Sequence, residues 1–145
     1  MVAGVTGCGK ASVSARIAKR FQLAFVDRDD LHSRAAIAKM AGGQPLTDAD
    51  RWPWKVWIGA AHSDRQHFPS GLVVACSALR KIYRHHLQAH VTRSLAFVLL
   101  DGPRELILER MTKRESGFMP PDLLDSQLAL LERPVDDADV AMHRY

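Results

Sequence analysis

A short glycine-rich segment near the start of the chain constrains its fold more than any other feature: residues 4–10 read G-V-T-G-C-G-K. Glycines at this spacing let the backbone turn tightly, so that successive N–H groups point at the oxygens of a bound phosphate. The lysine after them reaches the outer phosphates as a point charge. This phosphate loop, residues 4–10, predicts a nucleotide-binding site. Its predicted binding residues are Gly4, Val5, Thr6, Gly7, Cys8, Gly9, Lys10 and Ala11.

One position departs from the usual loop pattern. Ala11 stands where G-x-x-x-x-G-K is normally followed by Ser or Thr, whose hydroxyl ligates Mg²⁺. A methyl group cannot ligate a metal ion. Ser12 lies one place later, and because one residue along a helix is a rotation of about 100°, we expect its hydroxyl to face elsewhere.

The residues around the loop favour a true phosphate site. Residues 1–3 form a short apolar segment typical of a strand, and Val13, Ile17 and Phe21 recur at every fourth position, as on the buried face of a helix. A helix that begins directly after the loop adds the partial positive charge of its N-terminus to the same anion site. The alternative is a glycine-rich turn that binds no anion, which the position of the lysine disfavours.

The size and composition of the chain predict one domain, residues 1–145. The chain is 47% hydrophobic, and no stretch approaches the roughly 18 apolar residues of a membrane span. Its net charge of +4 suits a small anion, and it lacks the alternation of aromatic and basic residues that single-strand binders use. With only two cysteines, we expect reduced thiols in a cytoplasmic protein with neither a nucleic-acid nor a membrane partner.

Short apolar runs alternate with helical patterns along the chain. Strands are predicted at residues 24–26, 72–75 and 95–100, and helices at residues 33–40, 54–64, 79–87, 104–113 and 122–131. Continuous apolar strands between helices indicate an α/β fold, with a parallel sheet covered by helices on both faces. Such sheets bind ligands beyond the carboxyl ends of their strands, so the chemistry is expected there.

Alternating carboxylates follow the second predicted strand, at Asp27, Asp29 and Asp30. In a phosphotransferase, one carboxylate at this edge holds the water shell of Mg²⁺ and another accepts the proton of the attacking hydroxyl. The spacing fits both roles. The alternative is a helix N-cap with a solvated acidic turn, which would account for Asp29 or Asp30 without catalysis.

Two basic clusters follow later strands. Lys81 and Arg84 come after residues 72–75, where cations that face the phosphate loop would hold a carboxylate or a hydroxyl-rich substrate. The alternative is a solvated helix face. Arg110 and Arg114 lie in a predicted lid over residues 110–121, part of which can be neither strand nor continuous helix. A mobile lid that brings arginines over the nucleotide is one interpretation, and a plain surface loop is the other.

Further motifs stand in order along the chain: Asp27-x-Asp29-x-Leu31-His32, Lys39-Met40-x-x-Gly43-x-Pro45-Leu46-x-Asp48-x-Asp50-Arg51-x-Pro53-Trp54, Cys76-Ser77-Ala78-Leu79-x-Lys81-x-Tyr83-Arg84, Phe118-Met119-Pro120-Pro121-x-Leu123-Leu124-x-Ser126-Gln127 and Leu131-Glu132-x-Pro134. Together with the phosphate loop, they resemble the gluconate kinase (gluconokinase) family of the P-loop kinase fold. The resemblance implies a three-layer fold with a parallel sheet between helices, truncated at both ends. The family's last strand and helix would then be missing, and residues 95–100 would form an exposed sheet edge.

The resemblance implies ATP-dependent phosphorylation of D-gluconate to 6-phosphogluconate, with ATP and Mg²⁺ as cofactors. Lys10 and Asp29 would be catalytic, Asp27 would hold the metal through water, and Arg110 and Arg114 would contact ATP from the lid. The implied substrate-binding residues are Asp29, His32, Arg51, Lys81 and Arg84. Members of the family are often dimeric, which implies a homodimer.

Departures from the family pattern leave alternatives open. Ala11 replaces the usual Ser or Thr, Ala36 stands where the family usually has Asn, and Gly117 where it usually has His. We therefore expect a weakened kinase, with a catalytically silent relative that binds nucleotide or sugar acid as the alternative. A kinase of the same fold acting on shikimate or a nucleoside monophosphate is disfavoured by the motifs at residues 48–54 and 76–84.

Overall fold

The computed structural model describes residues 1–27, 38–39, 42, 44, 47, 60–61, 64, 66–92, 94–113, 121–134 and 140–145. Its elements are β1 (Val2–Ala3), α1 (Lys10–Phe21), β2 (Ala24–Asp27), β3 (Leu72–Cys76), α2 (Lys81–Ala89), β4 (Phe97–Asp101), α3 (Arg104–Thr112), α4 (Pro121–Leu130) and β5 (Val140–Arg144). The helices predicted at residues 33–40 and 54–64 lie mostly outside the described residues. No helix that these residues form is long and apolar enough to cross a membrane.

The strands form one sheet in the order β2-β3-β1-β4-β5, and every neighbouring pair is parallel. The short strand β1 is central, with Val2 opposite Ala75 on one side and Val98 on the other. Parallel neighbours need crossover connections, which is why strands and helices alternate along the chain. The predicted α/β fold with a parallel sheet is confirmed.

The core lies around β3, whose five residues are all buried. Each of the later helices adds a side chain that is almost fully buried: Leu87 from α2, Ile107 from α3 and Leu124 from α4. These side chains join β1 and β4 in a single apolar cluster. Burial of this cluster holds the carboxyl ends of the strands, and the loops that follow them, in fixed positions.

Helix α1 differs from the prediction at one of its three apolar positions. Val13 and Ile17 are partly buried against the core, as expected. Phe21, expected on the buried face, is 64% exposed. It is the last residue of α1, and the chain turns at Gln22 in a left-handed conformation (φ 55°), so Phe21 lies beyond the part of the helix that covers the sheet.

The last strand, expected to be missing, is present. β5 pairs with β4 along its whole length, from Phe97 opposite Val140 to Asp101 opposite Arg144. The edge strands are therefore β2 and β5, and the expectation of an unpaired edge at residues 95–100 is wrong. The segment V-A-M-H-R lacks the alternation of apolar and polar residues that predicts a half-buried strand, and only Val140 of it is buried.

Candidate active site

The phosphate loop connects β1 to α1 and adopts backbone angles that favour glycine. Gly4, Gly7 and Gly9 have φ values of 146°, 73° and 90°. An L side chain rarely adopts such angles because its Cβ crowds the following carbonyl. The glycines thus allow the chain to turn between β1 and the first turn of α1, where unpaired N–H groups favour an anion.

Two of these glycines are also required by close packing. A Cβ on Gly4 would lie 2.7 Å from both the Sγ of Cys8 and the carbonyl oxygen of Leu100, and one on Gly7 would lie 2.5 Å from Cγ of Met111. Cys8 is a buried free thiol, and burial raises its pKa above the usual value. The loop is therefore packed on β4 and α3 from one side and open on the other.

The open side of the loop faces a cavity of about 240 Å³, which we call the phosphate cavity. It is lined by Thr6, Gly7, Gly9, Lys10, Ala11, Ser12, Asp27 and Arg110. The cations of Lys10 and Arg110 and the N-terminus of α1 make this a positively charged site suited to a polyphosphate. Lys10 Nζ donates a hydrogen bond to the carbonyl oxygen of Val5 at 2.8 Å, which holds the ammonium group across the loop.

The side chains that line the phosphate cavity determine how it could bind a metal ion. Asp27 ends β2 and is the only acidic side chain among the described residues that line the cavity. Ala11 lines it with a methyl group. Ser12 is also among the residues that line the cavity, and the expectation that its hydroxyl faces elsewhere stays a prediction. In the described part of the chain, no three His, Cys, Asp or Glu side chains cluster around a common metal position. A cation here would depend on Asp27, water and ligand oxygens.

Two side chains outside the predicted site residues form hydrogen bonds with the backbone of the loop. The Thr6 N–H donates to Oε1 of Gln127 on α4 at 2.7 Å. The hydroxyl of Tyr145 donates to the carbonyl oxygen of Cys8 at 3.1 Å. Gln127 belongs to a motif that carried the family resemblance, which was the available signal for it; Tyr145 belongs to no motif.

The predicted substrate residues of the next loop have different surroundings. Lys81 begins α2 with an exposed side chain, and its N–H donates to the carboxylate of Glu132 at 2.6 Å, which lowers the pKa of Glu132. Arg84 is 1% exposed, and its guanidinium donates to the carbonyl oxygens of Ala78, Leu79 and Glu132 at 3.0–3.2 Å. These hydrogen bonds connect the segment after β3, at Ala78 and Leu79, to the segment after α4, at Glu132. Arg84 does not line the phosphate cavity.

Asp101, at the carboxyl end of β4, is held by a neighbouring arginine. Arg133 donates to both of its carboxylate oxygens at 2.8 and 3.0 Å. The remaining predicted site residues, Asp29, His32, Arg51 and Arg114, lie outside the described residues. The structure thus brings Lys10, Asp27 and Arg110 together at the phosphate loop. The residues expected to bind the phosphate acceptor stay a prediction.

Comparison with known proteins identifies the family. The gluconokinase of Gluconobacter oxydans is 41% identical over 140 residues, which cover 97% of this chain and 78% of the relative. The chain belongs to the gluconokinase family. The thermosensitive gluconokinase of Escherichia coli is likewise 41% identical over 139 residues, covering 94% of this chain and 73% of the relative. No family model matches the sequence.

Solved structures show the gluconokinase architecture in the same way. A gluconokinase from Sinorhizobium meliloti superposes with a TM-score of 0.87 at 41% identity, covering 99% of this chain and 79% of that one. An unliganded sugar kinase from a Janibacter species superposes with a TM-score of 0.89 at 40% identity, covering 99% and 82%. The predicted family and P-loop kinase fold are confirmed.

Proposed function

We propose that this protein transfers the γ-phosphoryl group of ATP to the 6-hydroxyl of D-gluconate, giving ADP and 6-phosphogluconate. The observation that carries the proposal is the phosphate cavity, where Lys10 and Arg110 meet the phosphate loop in a chain of the gluconokinase family. Relatives named gluconokinase in bacteria and in the plant Arabidopsis thaliana support gluconate as the acceptor. We assign this reaction to one domain, residues 1–145, in the cytoplasm.

The described residues account for the donor side of the reaction. N–H groups of the loop and of the first turn of α1 hold the ATP phosphates. An ammonium group has three donors, so Lys10 can keep its bond to the Val5 carbonyl and still donate to phosphate oxygens. Arg110 adds a second cation on the opposite element, α3. Both charges oppose the negative charge that spreads over the transferring group, which lowers the barrier.

The acceptor side rests on predicted residues. Asp29, two positions after Asp27, accepts the proton of the 6-hydroxyl as that oxygen bonds to phosphorus. The exposed side chain of Lys81 pairs with the gluconate carboxylate, together with His32 and Arg51. Arg114 joins Arg110 over the nucleotide from the lid. We also propose that the enzyme is a homodimer and has no nucleic-acid or membrane partner.

The residues present fit a magnesium ion held mostly by water and phosphate. Mg²⁺ keeps several waters in protein sites and supplies charge neutralisation to the phosphates when bound. Asp27, the acidic side chain of the cavity, would hold its water shell. The missing hydroxyl at position 11 removes one protein ligand, so we expect weak metal binding and reduced turnover.

The test is an assay of ADP release by the purified protein with ATP, Mg²⁺ and D-gluconate. Lys10→Ala should lower kcat by roughly two or more orders of magnitude, because the lysine acts on transition-state charge. Lys19→Ala is the matched control, since Lys19 is an exposed lysine in the last turn of the same helix. Wild-type turnover in Lys10→Ala would contradict the assignment.

The second candidate is a silent relative that binds nucleotide or sugar acid without turnover. The alanine at position 11 favours it, because the metal loses a protein ligand. Calorimetry with a nonhydrolysable ATP analogue separates the two candidates. Binding of the analogue without ADP release on D-gluconate or other sugar acids would support the silent relative, and ADP release with D-gluconate would exclude it.

A further inference from the structure

The geometry points to Tyr145 as a positioning residue of this active site: it orients the Arg110 guanidinium towards the phosphate cavity and fixes the Cys8 carbonyl of the phosphate loop. The inference rests on the proposed function for the identity of the reaction. It goes beyond that function because Tyr145 belongs to none of the motifs that indicated the site. Tyr145 contacts Arg110, which lines the cavity, and does not line it itself.

The ring of Tyr145 is held in place by the sheet. Its N–H donates to the carbonyl oxygen of Asp101 at 3.3 Å, which continues the pairing of β5 with β4 by one residue. The ring lies on Gly102 so closely that a Cβ there would be 2.5 Å from Cε2 of Tyr145. Any larger residue at position 102 would displace the ring. The side chain therefore has a fixed direction, from the carboxyl end of the sheet towards the phosphate loop.

The ring in turn contacts Arg110. The guanidinium carbon of Arg110 lies 4.3 Å from the ring centroid of Tyr145, well within the range of a cation–π contact. Arg110 is exposed on α3, and no ion pair between it and a described acidic residue competes with this contact. A long arginine side chain loses rotamer freedom when it binds a phosphate, and a contact that orients it beforehand reduces that loss.

The hydroxyl of Tyr145 acts on the loop itself. It donates to the carbonyl oxygen of Cys8 at 3.1 Å, between two of the glycines that give the loop its shape. Burial raises the pKa of Tyr145 to about 12, so the hydroxyl keeps its proton and remains a donor throughout the neutral range. One side chain thus joins the two parts of the site that hold phosphate, the loop and the arginine of α3.

A double-mutant cycle on ADP affinity tests the inference. Tyr145→Leu should weaken ADP binding, measured by calorimetry, by about two- to fivefold through loss of the cation–π contact, with a further loss from the missing hydroxyl. In an Arg110→Ala background the part due to the ring should vanish, because there is no guanidinium left to orient. Tyr145→Phe keeps the ring and should retain the coupling to Arg110.

The matched control is Phe21→Leu. Phe21 is an exposed aromatic residue under the guanidinium of Arg20 at 5.8 Å, far along α1 from the cavity, and its loss should leave ADP affinity unchanged. With D-gluconate as acceptor, Tyr145→Leu should lower kcat and leave the KM for D-gluconate unchanged, because the contacts of Tyr145 are with the donor side. Unfolding midpoints of all variants separate a loss of fold from a loss of positioning.

The outcomes separate this inference from the proposed function. Equal effects of Tyr145→Leu in the wild-type and Arg110→Ala backgrounds, or unchanged ADP affinity in a folded Tyr145→Leu variant, would overturn the positioning role. A wild-type protein that binds ADP but does not phosphorylate D-gluconate would overturn only the proposed function. The ADP affinities of the variants would still test the positioning role of Tyr145. A folded wild-type protein that binds no ADP would overturn both.

Discussion

Gly7 of the phosphate loop faces Met111 of α3 so closely that a Cβ on Gly7 would lie 2.5 Å from Cγ and 3.0 Å from Sδ of the methionine. Gly7 also has a φ of 73°, which L residues rarely adopt. The position thus needs glycine for both its space and its backbone conformation. Because Met111 adjoins Arg110, this contact also sets the distance between the loop and the arginine of the phosphate cavity.

Gly7→Ala should therefore lower the free energy of unfolding by about 2–4 kcal/mol, the sum of overpacking and left-handed strain, and should weaken ADP binding. Denaturant unfolding and calorimetry measure the two effects. Gly42→Ala is the control, since its nearest neighbours lie at 3.5 Å. Met111→Ala in the Gly7→Ala background should restore the part of the lost unfolding free energy that comes from the steric clash. If none is restored, left-handed backbone strain alone explains the loss.

Arg133 should stabilise the fold through Asp101. Asp101 is 6% exposed and accepts two hydrogen bonds from Arg133, while Arg144 approaches it only to 3.8 Å. Arg133→Ala leaves a buried carboxylate poorly paired and should cost about 1–3 kcal/mol in denaturant unfolding. Arg104→Ala breaks a similar two-bond pair with Asp125 whose members are both exposed, and should lower the stability clearly less than Arg133→Ala. Equal losses would contradict this account.

Asp29 should matter for turnover and Asp30 should not. Alternate residues that leave a strand point to the same side, so we expect Asp29 to share the side of Asp27, which lines the phosphate cavity. Asp29→Asn should lower kcat by about 10²-fold or more, and Asp30→Asn should leave it near the wild-type value. Both aspartates lie outside the described residues. Parallel assays compare the two variants, and equal losses would show that the register beyond β2 differs from our interpretation.

Ala11→Ser should improve the enzyme. Ala11 lines the phosphate cavity beside Lys10, and a serine there would supply the hydroxyl ligand that Mg²⁺ lacks. We expect kcat to rise by about tenfold or more, and the Mg²⁺ concentration for half-maximal rate to fall. Ala15→Ser, on an exposed position of the same helix, is the control. If Ala11→Ser changes neither quantity, the silent relative becomes the better candidate.

Much of the donor side could be predicted from local sequence. The spacing from Gly4 to Lys10 identifies the phosphate loop because the positive φ values of its glycines are a local requirement of the turn. Strands β2, β3 and β4 were found within a few residues because each is a short apolar run. The exposure of Phe21 was missed because helical spacing does not tell where a helix passes beyond the sheet that it covers.

The sequence by itself determined the loop, its lysine and the alternation of strands and helices, since each depends on residues close together in the chain. Only the tertiary structure decided that β5 exists, because this mostly exposed segment without apolar alternation pairs with β4 along its whole length. It also brought Gln127 and Tyr145 to the loop across 121 and 137 residues of chain. Such contacts follow from the order of strands in the sheet, and no local pattern encodes that order.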